Sequence, residues 1–232
     1  MSNEKTIALP VRPMRHPLMA GLALAVIGLA LTACGDEPSK AAGEAPKEIA
    51  IEEIRKSGTD LPELAMGAED AKATVVEYAS LTCGHCMRFH TEVFPEVKRK
   101  YIDTGRIRFI YRDYPLDPRA FGGSMLARCL GGDKAFALIE TLFHQQEQWA
   151  HVKQNPKQAL FDVVKQAGFT EESFDKCLTD QKLFEQLSAM QSRAGQVFGV
   201  SSTPTIFING KKIAAPTLEE FDKALEPIIG KN

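Results

Sequence analysis

Hydrophobic positions along the chain switch between strand and helix periods. Ala73-Thr74-Val75-Val76-Glu77-Tyr78-Ala79 is a β-branched and aromatic run between turn signals, which predicts a largely buried strand with Glu77 out of place in it. Beyond Cys83, the apolar positions Cys86, Phe89, Val93, Phe94, Val97 and Tyr101 fall at helical spacing and predict a helix over about 84–101. Pro95 lies inside that helix and, lacking an N–H, is expected to kink it. Thr104-Gly105 closes the helix, and Arg106-Ile107-Arg108-Phe109-Ile110-Tyr111-Arg112 alternates as a second strand. The result is a βαβ unit, with parallel strands and a right-handed crossover.

From about Asp117 to Gly199 the period stays helical, divided by start and stop signals. Asn155-Pro156, Thr170 and Asp180 open segments, and Gly168 and Gly199 close them. A helical block of that length is too large for a crossover and reads as an inserted subdomain over about 117–199, whose Met, Leu and Phe stripes form core. Thr205-Ile206-Phe207-Ile208, Asn209-Gly210, then Lys211-Lys212-Ile213 predicts a hairpin, because Asn-Gly supplies the positive φ angles of a two-residue turn. Thr217-Leu218-Glu219-Glu220 fits a capping box opening a last helix that Gly230 ends. The element order is β-α-β, helices, β-β-α, an α/β fold.

The N-terminus has a different pattern. Lys5, Arg12 and Arg15 precede an uncharged apolar run over 18–33, shorter than the roughly 20 residues a membrane span requires. Leu31-Thr32-Ala33-Cys34 resembles the lipobox of bacterial lipoproteins, so residues 1–33 are expected to be a signal peptide, cleaved before Cys34, with Cys34 lipidated; an uncleaved signal anchor is the alternative. The polar, small-residue stretch that follows predicts a flexible tether over 34–60, leaving a folded domain over 61–232. This implies a periplasmic, membrane-anchored protein.

The 232 residues, 44% hydrophobic and 25% charged, suffice for one globular domain with an embellishment. The net charge of -2, with 25 basic against 29 acidic residues once 1–33 are removed, gives no reason to expect a nucleic-acid partner. Of five cysteines, Cys34 is the lipid site, Cys83 and Cys86 form a CxxC, and Cys129 and Cys177 remain in the helical block. In an oxidising compartment these last two are expected to form a structural disulfide joining two helices, two buried free thiols being the alternative.

Cys83-Gly84-His85-Cys86 at a strand-to-helix junction puts the Cys83 sulfur at a helix N-terminus, where free N–H groups and the helix dipole favour an anion. Cys83 is therefore the expected reactive thiol and Cys86, one turn on, the buried resolving partner. His85, when protonated, would add a positive charge beside Cys83. A zinc site would need further ligands at suitable spacing, and although His90 is available, no second CxxC exists. Haem attachment would need His where Met87 stands. An inert bridge would be strained over so short a spacing. No metal or cofactor is expected. Ser202-Thr203-Pro204-Thr205 is a second marker: a cis Thr203–Pro204 bond would let the loop face the CxxC and offer Thr203 backbone groups to a substrate peptide.

Val76-Glu77-Tyr78-Ala79-Ser80-Leu81-Thr82-Cys83-Gly84-His85-Cys86, Tyr111-Arg112-Asp113-Tyr114-Pro115-Leu116 and Thr203-Pro204 closely resemble the bacterial DsbA-type thiol:disulfide oxidoreductases, over about 61–229. The resemblance implies a thioredoxin fold with an inserted helical subdomain. It also implies Cys83 as nucleophile, Cys86 as resolving thiol, Pro204 as cis proline, and Glu77 as a buried acid that takes the Cys86 proton. Gly84 departs from the pattern, since many members carry Pro there, and it leaves the turn looser. The implied function is a monomeric oxidase that donates its disulfide to exported cysteine-containing proteins and is reoxidised by a quinone-linked membrane oxidase. An isomerase or reductant is the competing activity, although residues 35–60 look too short and polar to dimerise, and a peptide-binding chaperone with incidental thiols is the competing class.

Overall fold

A computed structural model describes residues 48–231. The expected signal peptide, Cys34 and most of the tether lie outside the described residues. One mixed sheet runs in the order β1-β3-β2-β4-β5, built from β1 (Leu64–Gly67), β2 (Ala73–Ala79), β3 (Ile107–Asp113), β4 (Thr205–Ile208) and β5 (Lys211–Lys212). β2 and β3 are parallel, and β1, β4 and β5 each pair antiparallel with their neighbours. β2 is buried at every residue because it lies in the centre and is covered on both faces.

Side-chain alternation divides β2 between two cores. Ala73, Val75 and Ala79 join Phe109, Tyr111, Phe89, Phe94 and Phe221 on one face. Val76 and Tyr78 join Ile110, Phe207, Ala194 and Phe198 on the other. Glu77 therefore points to the same side as Val75 and Ala79, flanked by Tyr111 on β3 and Ile206 on β4.

The helix after Cys83 carries Pro95 immediately after a widened turn. It runs as α2 (Gly84–Arg88), a π turn (Phe89–Val93), α3 (Phe94–Val97) and a second π turn (Lys98–Ile102). Phe94 N–H bonds the Phe89 carbonyl five residues back, and the wider turn relieves the crowding a Pro ring imposes on the carbonyl four residues earlier.

The helical insertion consists of α4 (Pro118–Leu130), α5 (Gly132–His144), α6 (Gln146–Trp149), α7 (Pro156–Val164), α8 (Glu171–Leu178) and α9 (Gln181–Phe198). Asp117, Thr170 and Asp180 cap α4, α8 and α9 with their side chains. Ala194 and Phe198 of α9 also cover the second face of the sheet, so the last insertion helix serves the sheet as well. The Asn209-Gly210 turn has φ 46° and 85°, as the hairpin requires. α10 (Leu218–Ile229) closes the chain; Thr217 accepts from Glu220 N–H, and the reciprocal half of the capping box forms instead at Thr170 and Ser173.

Two elements escape the periodicity. β1 is an edge strand of four residues, too short for an alternating signal. α1 (Ile51–Arg55) lies in the stretch read as tether, which corrects the tether's far end. Its Ile54 is buried in the second core, worth about 1.5–3 kcal/mol. Ile49 N–H bonds the Gly210 carbonyl at 3.0 Å, and the Arg112 guanidinium donates to the Arg55 carbonyl. These contacts fix the entering chain to the sheet.

Candidate active site

Cys83 follows β2 and is the N-cap residue of α2, with φ -81° and ψ 118°. Its sulfur thus stands at the helix start, where a capping oxygen would stand, under the influence of the Cys86 and His85 N–H groups without a formed cap hydrogen bond. The thiol is pulled down to about 5, chiefly by the hydrogen bond from Cys86, against burial, with the Thr203 side chain and those two N–H groups adding to it. Thr203–Pro204 is cis, and the loop places the Thr203 carbonyl 3.3 Å from Cys83 Sγ, where the protonated thiol donates to it. Cys86 is fully buried, and its thiol is pushed well up by burial, by its bond to Cys83 and by the charge of Glu77. Both active-site cysteines are reduced here. A half-buried low thiol and a fully buried high one are what stepwise exchange needs: one attacks and leaves readily, the other resolves.

The supporting backbone is held from the insertion. Gln146 of α6, itself buried, donates from Nε2 to the Leu81 carbonyl at 2.8 Å and the Cys83 carbonyl at 3.2 Å. Thr82 donates to Asp117, tying the loop to the start of α4.

Behind Cys86 lies a buried ionic cluster. Glu77 Oε2 is 3.0 Å from His90 Nε2, and His90 Nδ1 is 2.8 Å from Glu140 Oε1. With both ring nitrogens facing carboxyl oxygens, the geometry suits an imidazolium that donates from each. Burial alone would lower it, but the charges and hydrogen bonds of Glu77 and Glu140 prevail and push it up to about 9. Its ring stacks on Phe143 at 4.3 Å and meets Phe94 at 4.9 Å. Glu77 Oε1 and the Tyr111 hydroxyl are buried with no protein partner.

The structure thus brings together Cys83, Cys86, Glu77, Thr203 and Pro204. The His85 side chain is exposed at the second position of α2, and its backbone N–H is among the influences that lower Cys83. Cys129 of α4 and Cys177 of α8 are joined by a disulfide, with Cα atoms 6.3 Å apart. Among the described residues, no group of three or more His, Cys, Asp or Glu is placed to hold a metal ion. Sequence reasoning missed Gln146, Glu140 and the role of His90. For His90 a signal existed, since it lies four residues after Cys86 and so on the same helix face.

Comparison with known proteins agrees with this geometry. The thioredoxin family model matches residues 59–227. A Rickettsia bellii protein described as a candidate protein-disulfide oxidoreductase is 33% identical over 171 residues, covering 73% of this chain and 66% of the relative. The Bacillus subtilis disulfide bond formation protein D is 26% identical over 170 residues, covering 70% and 74%. A crystal structure of a Wolbachia pipientis alpha-DsbA1 variant superposes with a TM-score of 0.70 at 28% identity, covering 78% of this chain and 96% of that one. The chain belongs to the thioredoxin superfamily, as a DsbA-type member with an inserted helical block.

Proposed function

We propose that the protein is a thiol:disulfide oxidoreductase acting as an oxidase, donating a Cys83–Cys86 disulfide to exported cysteine-containing proteins. The observation that carries this reading is the asymmetry of the pair: Cys83 held down to about 5 at the helix start, Cys86 buried and pushed well up. In the donating direction a substrate thiolate attacks Cys83 Sγ, and Cys86 leaves and takes up a proton. A second substrate thiolate then displaces Cys83, whose stabilised thiolate is a good leaving group. The reduced protein returns to the oxidised form when a mixed disulfide at Cys83 is resolved by Cys86. A quinone-linked membrane oxidase is the electron acceptor that the family resemblance favours.

The reading includes a periplasmic location with Cys34 as lipid anchor, supported by the pattern of residues 1–34. Incorporation of labelled fatty acid, lost in C34A, tests that part. For the activity, oxidised protein is mixed with a reduced two-cysteine peptide and peptide disulfide is followed. Stoichiometric transfer is expected, and C83S should abolish it. Wild-type protein that leaves the peptide reduced, or full biological function retained in C83S, would show the thiols to be incidental to a binding role.

A further inference from the structure

The ionic cluster behind Cys86 is assembled from both halves of the molecule. His90 sits in the π turn Phe89–Val93, four residues after Cys86, and is buried. Glu77 faces it from β2, Glu140 from α5, Tyr111 from β3 at 6.1 Å between ring centroids, and Cys86 from its own helix. Asp113 and Arg128, paired with each other, bear on Tyr111 from beyond. The other neighbours, Phe89, Phe94 and Phe143, are apolar.

A fully buried carboxylate without a partner is strongly disfavoured in its charged form. Glu77 avoids this through one oxygen, Oε2, bonded to His90, while Oε1 stays without a protein partner. Glu140 clamps the opposite side of the imidazole and, at 31% exposure, keeps part of its own hydration. His90 reaches no sulfur by hydrogen bond: both its nitrogens are engaged by carboxylates.

Resting on the dithiol exchange above, we propose that His90, fixed by Glu140, is a positioning residue that holds Glu77 as a charged base with Oε1 free for the Cys86 proton. In the resolving step the Cys86 S–H bond breaks and its proton passes to Glu77 Oε1. The Cys86 thiolate attacks Cys83 Sγ; a Cys83–Cys86 bond forms as the bond from Cys83 to the partner sulfur breaks, and the partner leaves as a thiolate. The partner disulfide is the oxidant, reduced as the cysteine pair is oxidised. Because Glu140 belongs to the insertion, the helical block governs a carboxylate of the central strand.

The test mixes the reduced full chain with a simple aromatic disulfide whose leaving thiol is coloured. Attack by Cys83 releases one equivalent, and resolution by Cys86 releases the second. If the wild-type chain gives no first burst, the exchange reading itself fails, separately from the role of His90. H90Q should leave the first burst within about twofold and slow the second about tenfold at pH 7, less than the roughly hundredfold or more that complete loss of a general base costs, because Glu77 itself remains. That gap should close as the pH rises through about 9, where wild-type His90 loses its own charge. E140Q, altered at a part-exposed position, should slow the second burst in the same direction on the order of threefold and keeps the test decisive if H90Q does not fold. Equal slowing of both bursts in H90Q, a gap that does not change with pH, or an unaltered second burst in E140Q would overturn the proposal.

Discussion

The Cys86 thiol is the largest of the influences that lower Cys83, so removing it gives a sharp quantitative expectation. A hydrogen bond to a charged group is worth about 1.5–3 kcal/mol, or about 1–2 pH units at 1.36 kcal/mol each. In C86A the Cys83 thiol should therefore titrate near 6–7 instead of about 5. At pH 6 the thiolate fraction would fall from about nine-tenths to about a quarter for a midpoint of about 6.5. C86S keeps an O–H donor at the same place and should stay within about half a unit of the wild type. Ultraviolet absorbance of the thiolate, checked by the pH dependence of alkylation, measures all three. The linkage sign is that of a depressed pKa. Thiolate stabilisation of the reduced fold is complete above about pH 8.5, where the unfolded thiol also ionises, and is lost as the pH falls through about 5. A C86A midpoint still at about 5, or a C86S midpoint raised as far as that of C86A, would refute the assignment of the lowering to the Cys86 hydrogen bond.

Two further outcomes follow from the same geometry. Replacing both Cys129 and Cys177 by Ser opens a loop of 48 residues, which chain entropy values at about 4 kcal/mol; the urea midpoint should fall accordingly while the Cys83 midpoint stays in place. An unchanged urea midpoint would show that the bridge does not hold α4 to α8. A Cβ at Gly84 would meet nothing within 4 Å, and the residue is the first of α2, so G84P should fold and gain about 0.4–1 kcal/mol by stiffening the unfolded chain. Destabilisation in chemical denaturation would mean that the turn needs the freedom of glycine.

Legibility in the sequence tracked how local each signal is. The central strand, the helix behind Cys83, the Asn209-Gly210 hairpin and the helical block each carry their own period or turn chemistry within a few residues. α1 and β1 do not: five and four residues long, they exist because Ile54 and Leu64 find partners far along the chain. The same distinction divides the site. Cys83 and Cys86 are neighbours in sequence, and their asymmetry follows from being at the start of a helix. Glu77 looked out of place in its strand because its compensating charge, His90, sits on another element and Glu140 on a third. Gln146 was invisible for a related reason, since nothing near it marks a glutamine that will hold carbonyls more than 60 residues earlier.

The stabilised Cys83 thiolate is the central claim, and its redox consequence is directly measurable. At pH 7 a thiol at about 5 rather than about 8.5 favours the reduced pair by about 2.7 kcal/mol, or about 2 kcal/mol after allowance for solvent screening of a half-buried group. That moves the potential some 45 mV toward oxidant at about 30 mV per 1.4 kcal/mol. Equilibrating the Cys83/Cys86 pair with a glutathione redox buffer should give a potential of about −225 mV or less negative, at least some 45 mV to the oxidising side of the thioredoxin value. A value near the thioredoxin potential of about −270 mV would contradict the account, because a pair that reducing leaves no room for a thiolate held down at the helix start.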